Sequence, residues 1–215
     1  MFGSRSLLAA RGSLYATAIG RSKLGKLTEI RWHGRAGQGI VTAGELLAEG
    51  ALKDDMYFQA FPDYGPERMG APIKSYTRIS DEPIDVHYQI LSPEVVVVVN
   101  PNLLGVVDVT EGLAEDGAVI VNSPEPPGKI REVLGLKGSK ARVFTVDATG
   151  IALDTLKRDI PATTMLGAII KATGLVKLDN TVNVVKEKLG AKLRGEIVEA
   201  NVKALRRAYA EVKEG

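Results

Sequence analysis

The chain has 215 residues, of which 45% are hydrophobic and 25% are charged, and this composition is typical of one globular domain with a substantial core. It contains no cysteine and only two histidines, which excludes disulfides and cysteine-bound iron–sulfur clusters and makes a metal site in this chain unexpected. Its formal net charge of +2 conceals an asymmetry, because residues 1–28 hold five basic residues and no acidic ones. The rest of the chain is therefore mildly acidic, which argues against a nucleic-acid surface.

Residues 1–28 form a basic N-terminal extension ahead of a single domain that we place at residues 29–215. Ser, Ala, Leu and Arg dominate the extension, and this composition is typical of a transit peptide. The alternative is a segment that lies on the surface or packs against a partner chain, and we favour it. The longest uncharged run, residues 12–20, is too short and too polar to span a bilayer, so we expect no membrane association.

The first predicted element of the domain is a strand, because polar and apolar residues alternate through residues 29–33. A helix is predicted to follow at residues 40–53, since the apolar positions there fall on one helical face. Those positions are Ile40, Ala43, Gly44, Leu47, Ala48, Ala51 and Leu52. The order is therefore strand, glycine-rich turn and helix.

The turn at residues 34–39 reads Gly-Arg-Ala-Gly-Gln-Gly. Backbone N–H groups are left unpaired at the start of the following helix, and a phosphate or carboxylate can bind there. Gly34, Gly37 and Gly39 permit positive φ and close approach of a ligand, and Arg35 adds a guanidinium. The G-x-x-G-x-G spacing differs from the dinucleotide fingerprint G-x-G-x-x-G. Two interpretations stay open: an anion site, and a tight turn that only packs helix on sheet.

A second strand is predicted at residues 57–61, and a long loop follows at residues 62–72. Three prolines and two glycines rule out regular structure in this loop, and it carries recognition groups. These groups are Tyr64, Glu67 and Arg68. Residues 73–79 alternate as a third strand, and we expect residues 84–89 to pair with it as an antiparallel hairpin. The sheet is therefore expected to be mixed.

The five consecutive valines at residues 95–99 predict the central strand, buried on both faces. Asn100 and Asn102 follow it, and we interpret them as turn and helix-capping residues rather than ligand contacts. Residues 118–122 and 142–146 predict parallel neighbours, the second followed by a helix to about residue 157. The pattern indicates a three-layer α/β/α, Rossmann-like domain with a mixed, mostly parallel sheet.

The last third of the chain is predicted to be helical, with helices at residues 161–172, from 178 to about 189, and from about 195 to 213. Gly167 lies in the middle of the first of these, where glycine costs about 1 kcal/mol relative to alanine, so we expect another element to approach closely there. The predicted inner face of the last helix comprises Ile197, Val198, Val202, Leu205, Ala208, Tyr209 and Val212.

The sequence contains few residues of the types that form a catalytic site. It lacks a cysteine nucleophile, and two histidines give no evident Ser-His-Asp arrangement. We interpret Glu67 beside Arg68 as an ion-paired recognition pair rather than a general acid. We therefore expect no catalytic residues, and predict a binding subunit or a fragment of a larger active site.

Several motifs resemble the gamma subunit of 2-oxoacid:ferredoxin oxidoreductases, pyruvate synthase in particular. The first runs from His33 to Gly39 with Thr42 and Ala43, although the family usually has glycine where this chain has Ala36. The second is the loop at residues 61–73, which contains Tyr64, Gly65, Glu67 and Arg68. Residues 109–113, 122–123 and 165–168 also match. The resemblance spans residues 29–213 and leaves the extension uncovered.

This resemblance implies a division of labour in a cytoplasmic enzyme. Thiamine diphosphate, Mg and the iron–sulfur clusters belong to the alpha, beta and delta partner subunits, and this chain binds none of them alone. The assembled enzyme oxidatively decarboxylates a 2-oxoacid, reduces ferredoxin and passes the acyl group to coenzyme A. The residues that we expect to contact coenzyme A are Gly34, Arg35, Gly37, Gln38, Gly39 and Thr42, and Tyr64, Gly65, Glu67 and Arg68 are expected at a subunit interface or the active site.

Two rival interpretations stand beside this one. The chain could be a stand-alone module that binds nucleotides or acyl-coenzyme A. It could also be a purely architectural subunit, whose glycine turn and 62–72 loop exist only for packing. Co-purification with larger, cysteine-containing chains separates a subunit from a stand-alone module.

Overall fold

The computed structural model describes residues 27–63 and 70–215, which form a seven-stranded sheet covered by helices. The predicted extension lies outside the described residues except for its last two, which begin the first strand. Tyr64, Gly65, Glu67 and Arg68 also lie outside them. The strands are β1 (Leu27–Arg35), β2 (Tyr57–Pro62), β3 (Pro72–Ser80), β4 (Val95–Val98), β5 (Ala118–Asn122), β6 (Arg142–Val146) and β7 (Lys213–Glu214).

The sheet is mixed and mostly parallel, as predicted. Its strand order is β2-β3-β1-β4-β5-β6-β7. Strands β1, β4, β5 and β6 are parallel, whereas β3 runs antiparallel to both β1 and β2, and β7 runs antiparallel to β6.

The valine run forms the middle strand of the seven, which confirms the predicted central strand. All five valines at residues 95–99 are fully buried. Val95, Val97 and Val99 belong to a core beneath the helices, while Val96 and Val98 belong to a second core on the opposite face. The uninterrupted β-branched run is thus explained by burial on both faces.

Five helices cover the first face: α1 (Ile40–Leu52), α3 (Ala148–Leu156), α4 (Pro161–Thr173), α5 (Leu178–Gly190) and α6 (Gly195–Glu211). The predicted close approach at Gly167 of α4 is confirmed. A Cβ atom there would overlap the carbonyl oxygen of Leu205 and the backbone nitrogen of Tyr209, both in α6. The glycine therefore lets α6 pack directly on α4, and the helical C-terminal part is built onto the sheet.

The second face carries much less regular structure. It is covered by the seven-residue helix α2 (Pro127–Val133), the 3₁₀ turn Pro101–Leu103 and irregular chain. The three-layer α/β/α arrangement predicted from the sequence is therefore present, with one thick and one thin helical layer.

The predicted hairpin at residues 84–89 was wrong, because these residues form no strand. The reason lies in the sheet order, since β3 already pairs with β1 on one side and with β2 on the other. No edge of β3 is left for a further strand. Residues 84–89 instead cross the second face, where Arg78 donates to the carbonyls of Val86 and Tyr88.

Two smaller predictions about the helices were also wrong. Leu52 and Ile197 belong to the predicted buried faces of their helices, but they are 56% and 41% exposed. Helix α6 ends at Glu211, within two residues of its predicted end near residue 213. The next residues extend and form β7, whose Glu214 carboxylate lies 2.7 Å from Nε of Arg142 in β6.

Candidate anion-binding site

The turns that follow β1 and β4 lie side by side at the carboxyl edge of the sheet. From β1 the chain passes through α1 to β2 on one side, whereas from β4 it continues to β5 and β6 on the other. The strand order therefore reverses between β1 and β4. Open α/β sheets bind ligands in the crevice outside such a reversal, and residues 34–39 occupy that place here.

Two glycines shape the turn at residues 34–39. Gly37 has a φ of 90° and Gly39 a φ of 78°, values that side-chain-bearing residues rarely adopt. Gly39 is the N-cap of α1, where no side chain caps the helix and the first turn has no acidic residue. Gly34 has a different role, because a Cβ atom there would lie 2.6 Å from Cγ2 of Ile40. It allows strand and helix to pack closely.

The side chain of Gln38 connects the two turns. Its Oε1 accepts hydrogen bonds from the N–H of Arg35 at 2.8 Å and from Nδ2 of Asn100 at 3.3 Å. Oδ1 of Asn100 in turn accepts a hydrogen bond from the N–H of Asn102 at 3.0 Å, which confirms the predicted capping role of Asn100. The sequence did not predict the hydrogen bond between Gln38 and Asn100. Each of these polar residues closely follows a strand of the parallel part of the sheet, and this shared position is the feature that could have indicated the bond.

The turn also contacts the end of the 62–72 loop. Nη1 of Arg35 donates to the carbonyl of Gly70 at 2.6 Å, and the N–H of Ala36 donates to the carbonyl of Ala71 at 3.3 Å. The two motifs therefore meet in space. The structure groups six predicted ligand contacts on the turn and the start of α1: Gly34, Arg35, Gly37, Gln38, Gly39 and Thr42. The roles of Tyr64, Gly65, Glu67 and Arg68 stay predictions, because these residues lie outside the described ones.

This arrangement offers backbone N–H donors, the positive end of a helix dipole and one guanidinium. These are the groups that bind phosphate and carboxylate. Within residues 27–63 and 70–215, no group of three or more His, Asp or Glu side chains is placed to hold a metal ion. In the same residues, no helix has the length and hydropathy of a membrane span.

The histidine near the turn, His33, is buried and lies beside the buried guanidinium of Arg31. Nε2 of His33 accepts a hydrogen bond from Nε of Arg31 at 3.1 Å. Arg31 also donates to the carbonyls of Val109 and Glu111, which fixes that loop against β1. Burial, together with the positive charges of Arg31 and Lys74, lowers the pKa of His33 to about 3. His33 is therefore a neutral structural acceptor at physiological pH.

The stability of the chain should depend on pH through His33. Because its pKa is lowered on folding, His33 contributes stability above about pH 6.5 that is lost as the pH falls toward 3. Wild type should lose about 2 kcal/mol between pH 7 and pH 5 from this group, at about 1.4 kcal/mol per pKa unit. Urea unfolding at both pH values measures it.

The matched variant is His33→Gln, which keeps a neutral acceptor for Arg31 but cannot titrate. The variant retains every other ionisable group. The difference between the two proteins in the unfolding free energy lost from pH 7 to pH 5 therefore measures the contribution of His33. Equal losses of unfolding free energy in both proteins between pH 7 and pH 5 would show that His33 is not buried as described.

The fold and the turn define a class: a Rossmann-like α/β chain that presents a helix start without a side-chain cap at its strand-order reversal. The chain belongs to the pyruvate ferredoxin/flavodoxin oxidoreductase family, which matches residues 29–211. It is 46% identical to pyruvate synthase subunit PorC of Thermotoga maritima over 188 residues, 87% of this chain and 96% of the relative. It is 49% identical to the pyruvate/ketoisovalerate oxidoreductases common subunit gamma of Pyrococcus abyssi over 183 residues, 85% and 96% of the two chains.

One solved structure agrees with this assignment, and a more distant one shares the fold. The crystal structure of pyruvate oxidoreductase subunit PORC from Thermotoga maritima superposes with a TM-score of 0.77 at 42% identity, covering 88% of this chain and 99% of that one. The same fold makes up 31% of a chain of 2-oxoglutarate:ferredoxin oxidoreductase from Magnetococcus marinus, with a TM-score of 0.69 at 18% identity over 86% of this chain. The predicted assignment to the gamma-type subunits of the 2-oxoacid:ferredoxin oxidoreductases is confirmed.

Proposed function

We propose that this gamma-type subunit uses the turn at residues 34–39 to hold a phosphate of coenzyme A in the assembled oxidoreductase. The observation that carries the proposal is the pair of positive-φ glycines in front of an uncapped helix start at the strand-order reversal. Coenzyme A carries a pyrophosphate and a 3′-phosphate, and either group suits such a helix start. The subunit supplies binding, while the chemistry is carried out by its partners.

The proposed partners are the alpha, beta and delta subunits of a cytoplasmic pyruvate:ferredoxin oxidoreductase. Thiamine diphosphate, Mg and the iron–sulfur clusters reside in those subunits. The sequence supports this division of labour, since a chain without cysteine cannot supply the thiolates that iron–sulfur clusters require. The assembled enzyme converts the 2-oxoacid and coenzyme A to acyl-coenzyme A and reduces ferredoxin.

Arg35 is placed to add a charge-assisted contact to the backbone donors. One of its five N–H donors is used by the carbonyl of Gly70, and this bond holds the guanidinium beside the turn. The side chain is only half-buried, so its other donors can reach a ligand in the crevice. A bidentate fork suits phosphate oxygens better than a lysine ammonium does.

Replacing Arg35 with alanine should raise the KM for coenzyme A by about 10- to 100-fold, because a charge-assisted hydrogen bond is worth about 1.5–3 kcal/mol. The KM for the 2-oxoacid should not change, since its carboxylate is bound in another subunit. Steady-state kinetics on the reconstituted complex, with coenzyme A varied at saturating 2-oxoacid, measures both constants.

Arg131→Ala is a suitable control for this experiment. Arg131 also donates to backbone carbonyls, those of Leu136, Ser139 and Gly215, but it lies in α2 rather than at the turn. It should leave both KM values at their wild-type levels. If Arg35→Ala assembles normally with an unchanged KM for coenzyme A, Arg35 is not part of the site.

Two hydrogen bonds support the architectural interpretation: Asn100 donates to Gln38, and Arg35 donates to the carbonyl of Gly70. These bonds tie the turn to its neighbours without any ligand. Under that interpretation, variants of Arg35 and Gly37 impair assembly or stability, and any complex that does form binds coenzyme A normally. Measuring subunit content together with the KM therefore separates the two functions.

A further inference from the structure

The two irregular segments on the second face of the sheet, residues 81–94 and 104–116, are here called the coil face. Trp32 of β1 points toward the helices, because its Nε1 donates to Thr77 and its ring lies near Gly44 of α1. Its neighbour Arg31 therefore points to the opposite face, where it contacts the coil face at Val109. The coil face is thus the outer surface of the thin layer.

Large apolar side chains are exposed on this surface. Leu91 is 70% exposed, Val106 is 66% exposed and Tyr88 is 62% exposed. Val133 of α2 is 54% exposed and lines the same shallow cavity as Val106. Single exposed apolar residues are ordinary, but four on one thin layer are typical of a protein contact surface.

The irregular segments are held in place by buried arginines rather than by regular backbone pairing. Nη2 of Arg78 donates to the carbonyl of Tyr88 at 2.7 Å, and its Cζ lies 5.1 Å from the centre of the Tyr88 ring. Arg31 holds the other segment through the carbonyls of Val109 and Glu111. Both arginines are at most 3% exposed, so the exposed apolar groups are presented on a fixed backbone. Rigid, aromatic-containing surfaces of this kind are favoured at interfaces.

The charge on the coil face is of one sign. Residues 81–94 and 104–116 each contain four acidic residues and no lysine or arginine. The acidic residues exposed there include Asp81, Glu82, Asp85, Asp108 and Glu111, while Glu115 forms an ion pair with Lys140, which lies outside the two segments. An acidic rim around apolar groups complements a surface with apolar groups surrounded by lysine and arginine. It repels nucleic acid, anionic membranes and a second copy of itself.

We propose that the coil face is the surface through which this chain docks onto a partner subunit of the oxidoreductase, at an apolar patch bordered by lysine and arginine. This proposal rests on one part of the proposed function, namely that the chain works as a subunit of an assembly. It is independent of where coenzyme A binds, because the coil-face residues that carry it belong neither to the 34–39 turn nor to its described hydrogen-bond partners.

The test is to co-express the full set of subunits with Leu91→Lys and to measure how much of this chain co-purifies with its partners. Lysine removes an apolar contact and places a cation opposite a basic surface, so the dissociation constant should rise at least tenfold. Leu52→Lys is the matched control, since Leu52 is 56% exposed on α1 of the helical face, and it should assemble like wild type.

A charge reversal, Asp85→Lys, provides the second variant. It should weaken assembly and reduce its dependence on salt concentration, because it removes one attraction between the acidic rim and the basic partner. Complexes of Leu91→Lys or Asp85→Lys that form at high subunit concentration should keep the wild-type KM for coenzyme A. That pattern distinguishes a docking defect from failure of the proposed coenzyme A site.

Two outcomes overturn the proposal. In the first, both coil-face variants fold, as judged by circular dichroism, and assemble with wild-type affinity. In the second, analytical ultracentrifugation shows the isolated wild-type chain to be a dimer and Leu91→Lys to be a monomer, so a second copy occupies the face. If Leu91→Lys fails to fold, the assembly of Asp85→Lys with the partner subunits is the test of the proposal.

Discussion

Replacing Val97 with aspartate is expected to abolish soluble expression of the chain. Val97 is fully buried in the middle strand, and its register partners Trp32 and Ile120 are apolar and equally buried. The new carboxylate would have no partner there. An uncompensated buried charge costs roughly 3–5 kcal/mol, which is a large part of the 5–15 kcal/mol that typically stabilises a domain. The soluble fraction after expression, with thermal unfolding of any soluble protein, measures the effect.

Val106→Asp is the control for this experiment. It introduces the same carboxylate at a valine that is 66% exposed, so the isolated chain should stay soluble with a Tm close to wild type. A soluble Val97→Asp protein that unfolds cooperatively near the wild-type Tm would contradict the assignment of residues 95–98 to the central strand.

The second large effect is expected for Gly37→Val in the assembled enzyme. Gly37 has a φ of 90°, and a β-branched residue cannot hold that conformation without strain of about 1–3 kcal/mol. The turn should relax to another conformation, so its N–H groups no longer point at the phosphate. The KM for coenzyme A should rise by roughly 100-fold or more, from loss of at least about 3 kcal/mol of binding energy.

Gly37→Asn separates the backbone effect from the bulk of the side chain. Asparagine adopts positive φ more readily than other side-chain-bearing residues, so the turn should be kept. A Cβ atom at residue 37 meets no described atom within 4 Å, so asparagine fits without a clash in the unliganded chain. We expect its KM to lie between wild type and Gly37→Val. Equal KM values for all three proteins would refute a role of this turn in binding coenzyme A.

Local sequence patterns predicted most of the fold. The valine run at residues 95–99 predicts the centre of the sheet, because an unbroken run of β-branched apolar residues is typical of a strand buried on both faces. Gly167 predicted a close helix contact because an interior helical glycine needs a packing reason, and α6 supplies it. The turn at residues 34–39 was recognised because its glycines separate a period-2 segment from a period-3.6 segment.

The failures concern interactions between residues that are distant in sequence. The 84–89 segment could not be excluded as a strand without knowing that β1 and β2 already occupy both sides of β3. The two-residue strand β7 depends on pairing with β6, about 70 residues earlier. A local sequence pattern does not show which strand will occupy a given edge of the sheet.

In the candidate site, too, the local features were predicted and the contacts between distant residues were not. The glycines and the helix start were predicted because their conformations are local. The bond between Gln38 and Asn100 spans 62 residues, and the one between Arg35 and Gly70 spans 35. Arg31 and His33 were unremarkable in a strand of alternating residues, and only the loop that covers them makes them a buried pair. Periodicity identified which segments approach the site but not how their side chains meet.

The central claim is that the turn at residues 34–39 binds a phosphate of coenzyme A. The most direct measurement is calorimetric titration of coenzyme A into the assembled enzyme without 2-oxoacid, using wild type and Gly37→Val at matched subunit content. We expect the dissociation constant of the variant to be higher by roughly 100-fold. Identical dissociation constants in two fully assembled complexes would contradict the claim and leave the turn with a packing role alone.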